Sequence, residues 1–540
     1  MTMLTLAQAA QWIEGAKVVG TADAASIFID RVVTDSRQAG PGDLFVALRG
    51  DRFDAHDFLD GVAAQHATAA IVSRAPASFA VPYLLVPDTR RALGALARGW
   101  RRSFATRGAG AEATAAGVVA ADADASGLPL VAVTGSNGKT TVKEMIASIF
   151  MAAVGADHYL ATRGNFNNDI GLPLTLLRLR ATDRLAVIEL GMNHPDETRY
   201  LAGICEPTIG LVNNAQREHQ EFMHTVEAVA LEHASVIHAL PVDGTAVYPA
   251  DDAYAAIWRV AAHTRRIVDF ALLNDDLDGQ AGRTEIRAAV TGRWHAAQAT
   301  DESRSEVQGD ASLNGRLEVE TPIGAFSVVL QTQGRHNLRN ALAATAAAVA
   351  AGVGIDAIRA GLQCFAPVKG RLQVKRATAS ALAGAVVIDD TYNANPDSMR
   401  AAIDVLVQAA SPRVLVVGDM GEVGDQEAAA HREVGAYAFA QGVDQVYAVG
   451  RASRAVSDTF NAARDKVARD ETVAADGNGA AGTMRQAQHF ANAEALIAGL
   501  LAAAYPTPAS AVTVLVKGSR FMAMENVVAV LVGETPAAAH

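Results

Sequence analysis

Short apolar runs rich in Val, Ile, Leu and Ala recur along the chain, and most are followed by a stretch whose apolar residues repeat at helical spacing. The clearest runs are Ala69–Val72, Leu130–Val133, Leu185–Ile188, Ile209–Val212, Val414–Val417, Val446–Val449 and Val512–Val516. Consecutive apolar positions without polar alternation predict strands covered on both faces, and their alternation with helices predicts parallel sheets. The expected fold class is therefore α/β. Three segments break the pattern: Thr106–Gly127 is almost wholly Ala, Gly and Asp, Ala296–Asn314 is polar and charged, and Asp465–Arg485 is polar with glycines. None carries a persistent apolar period, so they read as a linker or surface insertions.

The length of 540 residues suits three domains of roughly 150 residues each. The segment boundaries suggest residues 1–105, an Ala/Gly-rich linker or insertion at 106–128, then 129–370 and 371–540. The last boundary lies near Gly370, where a helical stretch ends in Pro367-Val-Lys-Gly-Arg-Leu. Half the residues are hydrophobic and 19% charged, enough to bury sizeable cores and to exclude global disorder. A net charge of −12 argues against a nucleic-acid partner. Two cysteines, Cys205 and Cys364, cannot build a disulfide framework and fit a reducing cytoplasm. The N-terminus has no basic n-region, and Glu14 interrupts its apolar stretch, so no signal peptide is expected. Two uncharged runs resemble membrane spans, but Asn340–Ile355 is shorter than the ~20 residues required, and Pro506 and Pro508 split Ala495–Val516.

The chemistry concentrates in Val131-Ala-Val-Thr-Gly-Ser-Asn-Gly-Lys-Thr-Thr141, where a β-branched run enters glycines, a lysine and two hydroxyls. Val142, Met145, Ile146 and Ile149 then follow at helical spacing, giving strand, glycine loop and helix. Gly135, Ser136, Asn137 and Gly138 would bring backbone N–H groups to phosphate oxygens at a helix N-terminus. Lys139 would reach the outer phosphates, with Thr140 placed to ligate magnesium and Thr141 beside it. The two residues between Gly135 and Gly138 are a shorter spacing than the general phosphate-loop pattern, so this loop is a variant. A glycine turn of some other α/β protein is the alternative, and Gly-Lys-Thr-Thr directly after a strand argues against it.

Downstream, Glu189 ends a predicted buried strand and His219 follows the next, at the strand ends where α/β folds place ligands. A carboxylate there can hold magnesium directly or through water. Three further clusters are polar where core sequence would be apolar. Asn165, Asn167 and Asn168 stand in Gly164-Asn-Phe-Asn-Asn-Asp-Ile-Gly-Leu-Pro173; Asn337 and Asn340 open an Ala-rich helix; Asp390, Tyr392, Asn393 and Asn395 follow the strand Ala385–Ile388. Each cluster could equally be an N-cap or a turn.

Taken in order, Thr134-Gly-Ser-Asn-Gly-Lys-Thr-Thr, Glu189-Leu-Gly-Met-Asn, Asn213-Asn-Ala with His219, His336-Asn-Leu-Arg-Asn-Ala and Gly370-Arg-Leu resemble the Mur ligase family, ATP-dependent amide-bond synthetases of cell-wall precursor assembly. The resemblance spans nearly the whole chain outside the three insertions. It implies three domains, with a central P-loop ATPase-like parallel sheet and a Rossmann-like C-terminal domain. It places Lys139 and its loop on the ATP phosphates, and Thr140, Glu189 and His219 around Mg2+. Asn337, Asn340, Arg371 and Asp390 would lie toward the nucleotide. Thr34-Asp-Ser36-Arg37 looks like the family's uridine-nucleotide site.

Within the family, the clusters at 164–173 and 389–399, with Val514-Leu-Val-Lys517-Gly-Ser-Arg520, resemble the branch that joins D-alanyl-D-alanine to UDP-N-acetylmuramoyl-tripeptide. Asn165, Asn167 and Asn168 would then contact substrate, and Tyr392, Asn393 and Asn395 would help receive the dipeptide. An acyl-phosphate intermediate, a cytoplasmic location and a monomer are implied with it.

One departure stands out. Family members commonly carry a carbamylated lysine beyond the magnesium histidine, and counting from His219 through Val229-Ala230 brings that position to His233, beside Glu232. Either Glu232 supplies the missing carboxylate as a further metal residue, or the protein does without one. A folylpolyglutamate-synthase-like ligase shares the loop and is the nearest alternative. A nucleotide-gated binding protein without ligation is the alternative of another class.

Overall fold

The computed structural model describes residues 2–50, 53–105, 127–273, 287–296, 315–474, 485–505 and 509–536. In the N-terminal part, β1 (Lys17–Val19), β2 (Arg31–Val33), β3 (Asp43–Val46), β4 (Ala69–Val72) and β5 (Tyr83–Leu85) form a sheet of order β1-β5-β4-β3-β2. Only the β1–β5 pairing is antiparallel. The long helix α1 (Thr89–Ala105) then carries Leu93, Leu96, Trp100 and Phe104 into a core shared with Leu130, Leu172 and Leu201 downstream. Trp100 Nε1 donates to the Leu179 carbonyl at 3.2 Å, and Arg98 and Arg102 both meet Glu206 at 2.6 Å. Burying each large apolar side chain of α1 contributes about 1.5–3 kcal/mol, so this helix fastens the first domain to the second.

The central sheet contains β6 (Leu130–Thr134), β7 (Tyr159–Ala161), β8 (Leu185–Glu189), β9 (Ile209–Val212), β10 (Thr245–Val247) and β11 (Arg266–Ile267). Its order is β11-β10-β9-β6-β8-β7, all parallel. The chain winds from β6 to one side through β7 and β8, then to the other from β9 onward. The crevice at the carboxyl end of β6 is thus a topological switch point, where such sheets bind ligands.

Out of that crevice runs α2 (Lys139–Val154), with Val142, Met145, Ile146, Ile149 and Phe150 buried as its spacing predicts. Behind it lie α6 (Arg335–Ala350) and α7 (Ile355–Cys364), and a sheet of β12 (Phe270–Leu273), β13 (Val290–Ala296), β14 (Gly315–Thr321) and β15 (Gly324–Val328). The contact is close: a Cβ on Gly361 of α7 would sit 2.4 Å from the Ile149 Cα. Three more helices matter below, α3 (Gly171–Leu176), α4 (Glu197–Cys205) and α5 (Val226–His233).

The C-terminal sheet comprises β16 (Gln373–Arg376), β17 (Val386–Asp390), β18 (Arg413–Val417), β19 (Gln445–Val449), β20 (Gln486–Phe490) and β21 (Thr513–Lys517). Its order is β16-β17-β21-β18-β19-β20, parallel except for β16. Helices α8 (Pro396–Leu406) and α9 (Glu427–Ala440) cover one face, and α10 (Glu525–Val532) lies on the other.

The runs read as strands from the sequence are strands. One polar segment departs from expectation: a helix runs Arg454–Ala474, through the first ten residues of the stretch 465–485 that reads as an insertion. Val456 and Phe460 anchor its start, while residues 465–470 are exposed, so helix-forming residues carry it past the core with no apolar face to betray it. Residues 475–484, the segment at 106–126 and residues 297–314 lie outside the described residues. Among the described residues, no helix is long and apolar enough to cross a membrane.

Candidate functional site

The loop between β6 and α2 takes its shape from residues that cannot be exchanged freely. Gly135 and Gly138 have φ of +131° and +83°. A Cβ on Gly138 would lie 2.5 Å from Asn340 Oδ1 and 2.7 Å from Asn213 Nδ2. Asn213 and Asn214, at the end of β9, brace the loop. Asn213 Nδ2 donates to the Asn137 carbonyl at 2.7 Å and to Asn340 Oδ1 at 2.9 Å, while Asn137 N donates to Asn214 Oδ1 at 2.9 Å. Asn340 Nδ2 in turn donates to Asn337 Oδ1 at 3.0 Å. Both asparagines of α6 are buried; Asn340 braces the loop through Asn213, while Asn337 Nδ2 donates to Thr332 Oγ1 and the Gln333 carbonyl, each at 2.8 Å.

Around this loop lies a cavity of about 1120 Å³ formed by all three domains. Ser136 to Thr141 line it, with Asn165, Asn167, Asn168, Glu189, His219, Asn337 and Asn340 of the central domain. From the C-terminal domain come Arg371, Asp390, Tyr392, Asn393 and Asn395. Sequence positions far apart therefore converge. Ser36 and Arg37 do not line this cavity; they sit in a short turn of the N-terminal domain, where Arg37 pairs with Asp35 at 2.8 Å. That domain instead contributes Arg90 and Arg91, from the start of α1.

Glu189 is 2% exposed, and its Oε1 accepts from Thr140 Oγ1 at 3.1 Å and Asn167 Nδ2 at 2.8 Å. Its Oε2 is buried with no hydrogen-bond partner. A buried carboxylate oxygen left open beside a hydroxyl is the donor chemistry that magnesium takes, and that ion commonly needs only one or two carboxylates with phosphate oxygens. Among the described residues, no group of three His, Cys, Asp or Glu side chains is placed to hold a metal ion by itself. Arg371 Nη2 donates to Thr140 Oγ1 at 2.9 Å and its guanidinium lies 4.2 Å over the Tyr392 ring. Asn168 acts partly as a turn residue, its Oδ1 accepting from Gly171 N at 2.8 Å to open α3.

Lys139 folds back on its own loop, donating to the Gly135 carbonyl at 2.5 Å, the Ser136 carbonyl at 3.1 Å and Glu218 Oε2 at 3.1 Å. Burial alone would raise the Glu218 carboxyl, but Lys139, the hydrogen bond with His233 and the nearby His219 hold it down at about 2. His219 has φ of +46°, and its Nδ1 lies 2.7 Å from Glu422 Oε2 of the C-terminal domain.

The expectation for Glu232 is corrected. Its two oxygens accept from the backbone N–H groups of Asp196 at 3.0 Å and Thr198 at 2.8 Å, at the start of α4, and it does not line the cavity. The orphan donors of a helix N-terminus hold this carboxylate in place of a metal.

Lys517, which the sequence offered only as part of a motif and without a role, is 3% exposed and donates to Asp390 Oδ2 at 2.7 Å and the Asn393 carbonyl at 2.8 Å. A lysine closing the apolar run Thr513–Val516 was the available signal. Asn395 has two roles. It caps α8 in a capping box with Ser398, and its Nδ2 donates to Asn137 Oδ1 of the phosphate loop at 3.0 Å.

Three family models match successive parts of the chain. The Mur ligase middle domain matches residues 133–348, the "Mur ligase, glutamate ligase domain" residues 370–520, and the "Mur ligase family, catalytic domain" residues 28–101. The UDP-N-acetylmuramoyl-tripeptide–D-alanyl-D-alanine ligase of Escherichia coli K12 is 37% identical over 512 residues, covering 95% of this chain and 96% of its own. A crystal structure of MurF from Acinetobacter baumannii superposes with a TM-score of 0.77 at 30% identity, over 98% of this chain and 99% of that one. MurF of Thermotoga maritima in complex with ADP, 23% identical, shares the fold with a TM-score of 0.67 over 93% and 97% of the chains.

Proposed function

The chain belongs to the Mur ligase family, and from that premise we propose that it joins D-alanyl-D-alanine to UDP-N-acetylmuramoyl-tripeptide at the expense of ATP, releasing ADP and phosphate. The observation that carries this reading is the convergence, on one cavity, of a phosphate loop from the central domain and Asp390, Tyr392 and Asn395 from the C-terminal one. The tripeptide's terminal carboxylate attacks the γ-phosphorus and ADP leaves, giving an acyl phosphate. The dipeptide's free amine then attacks the acyl carbon and expels phosphate.

Two anions must meet in the first step, so positive charge has to be in place beforehand. Lys139 supplies it by turning from its loop carbonyls to the outer phosphates. Thr140 and Glu189, with His219 nearby, would hold magnesium, which would lower the negative charge of the phosphates. Arg371, reaching Thr140 from the other domain, adds a further cation beside the same phosphates. Asn337, Asn340 and Asp390 lie toward the nucleotide. The Asn165–Asn168 turn faces the tripeptide, and Tyr392, Asn393 and Asn395 face the dipeptide. Contacts between the central and C-terminal domains keep water from the acyl phosphate.

Residues 1–105, with Ser36 and Arg37, serve the uridine nucleotide; 129–370 bind ATP; 371–540 close over both. The protein works as a monomer in the cytoplasm, where ATP is available. Phosphate release with the UDP-muramoyl peptide, the dipeptide and ATP, each omitted in turn, tests the reading. Steady turnover without the dipeptide, or with folate and glutamate instead, would defeat it.

A further inference from the structure

At the position where the family pattern carries a carbamylated lysine, His233 is fully buried and stands between two partners. Its Nδ1 lies 2.9 Å from Thr134 Oγ1, at the end of β6, and its Nε2 lies 2.9 Å from Glu218 Oε1. A neutral imidazole satisfies both contacts, accepting from the threonine hydroxyl and donating to the carboxylate. Glu218 is thereby fixed through one oxygen. The other, Oε2, faces Lys139 at 3.1 Å and His219 Nε2 at 3.8 Å, and Glu218 lines the nucleotide cavity.

A buried carboxylate whose back oxygen is tied down and whose front oxygen faces the Lys139 ammonium and the His219 ring has one open coordination direction, toward the cavity. When phosphates draw Lys139 forward, Oε2 loses its ammonium and needs another cation. We propose that Glu218, held in place by His233 and Thr134, is the second carboxylate of the magnesium site, a permanent anion that makes carbon-dioxide modification unnecessary. The inference rests on the ligase reading above for the presence of magnesium. Glu218 carries the charge, while His233 and Thr134 are positioning residues that set its rotamer. Glu232, next to His233 in the chain, is excluded because both its oxygens serve α4.

The test is a titration of Mn2+ into the full chain with a non-hydrolysable ATP analogue, read by electron paramagnetic resonance. It needs neither peptide substrate, so it reports on the metal site even if the amide reaction is assigned wrongly. Wild-type affinity should be the same in carbon-dioxide-free and bicarbonate-containing buffer. Glu218→Gln should weaken Mn2+ by about tenfold to a hundredfold, with analogue binding in EDTA unchanged or tighter. His233→Gln keeps an N–H donor and should stay near wild type, whereas His233→Leu should fall with the Glu218 variant. Should Glu218→Gln fail to fold, Glu218→Asp, which draws the charge away from His233, should give an intermediate loss. A Glu218→Gln or His233→Leu curve that overlays wild type, or an affinity that rises with bicarbonate, overturns the proposal.

Discussion

Arg217 of the central domain grips Asp397 of α8 from two directions, its backbone N donating to Oδ2 at 2.9 Å and its Nη2 to Oδ1 at 2.6 Å. The same guanidinium reaches Glu433 of α9 at 2.6 and 2.9 Å. The two carboxylates raise the Arg217 pKa, Glu433 contributing first and Asp397 next. Together with Asn137–Asn395 and His219–Glu422, this clamp joins the domain holding the nucleotide loop to the one expected to present the dipeptide.

Arg217→Ala should therefore act on closure rather than on folding. It leaves two carboxylates facing each other across the seam, a loss of about 1–3 kcal/mol for a charge-assisted pair at a partly buried site. The expected result is a roughly ten- to hundredfold fall in kcat/KM for the dipeptide with ATP affinity little changed. Steady-state kinetics with either substrate varied would show it; a fall confined to ATP would contradict the assignment.

The clamp should also be acid-sensitive. Arg217 holds the Glu433 carboxyl below its usual range, against the burial that would raise it. A carboxylate depressed in the closed form stabilises that form fully above the ordinary glutamate range, and the contribution disappears as pH falls through the depressed value. Closure followed by small-angle scattering should loosen on acidification in wild type and much less in Glu433→Gln, which is already uncharged.

Lys139→Ala should abolish ligation to near background while leaving the melting temperature within a degree or two, because the ammonium bonds only to loop carbonyls and Glu218. Turnover near wild type would remove the phosphate-loop role.

Gly138→Ala should be worse than its size suggests. Its φ of +83° is costly for any side chain, and the new methyl would meet the amides of Asn340 and Asn213 at 2.5 and 2.7 Å. Loss of nucleotide binding with a drop of a few degrees in melting temperature is expected, measured by calorimetry. Normal binding would mean that the amide chain yields more readily than its burial indicates.

The seven strands read from the sequence were legible because each is a continuous apolar run buried on both faces, and the phosphate loop because glycine, lysine and threonine occur there for one physical purpose. What was hidden depends on side chains paired across long stretches of chain. Counting along the sequence placed a carboxylate at Glu232, yet the fold turns that residue to the start of α4 and brings Glu218 to the loop through His233. Asn340 is expected from the sequence to lie toward the nucleotide, and it is also a brace for the loop, a role that exists only once β9 and α6 are adjacent. The helix reaching Ala474 was missed because residues 465–470 are exposed and leave no apolar period to read.

The return of Lys139 to the carbonyls of Gly135 and Ser136 bears on how the catalytic cycle ends. A departing ADP leaves no bare cation behind, since the protein supplies internal acceptors to replace the phosphate oxygens. The product is thereby exchanged against the enzyme's own backbone, which should weaken inhibition by ADP relative to a loop whose lysine had only water to return to.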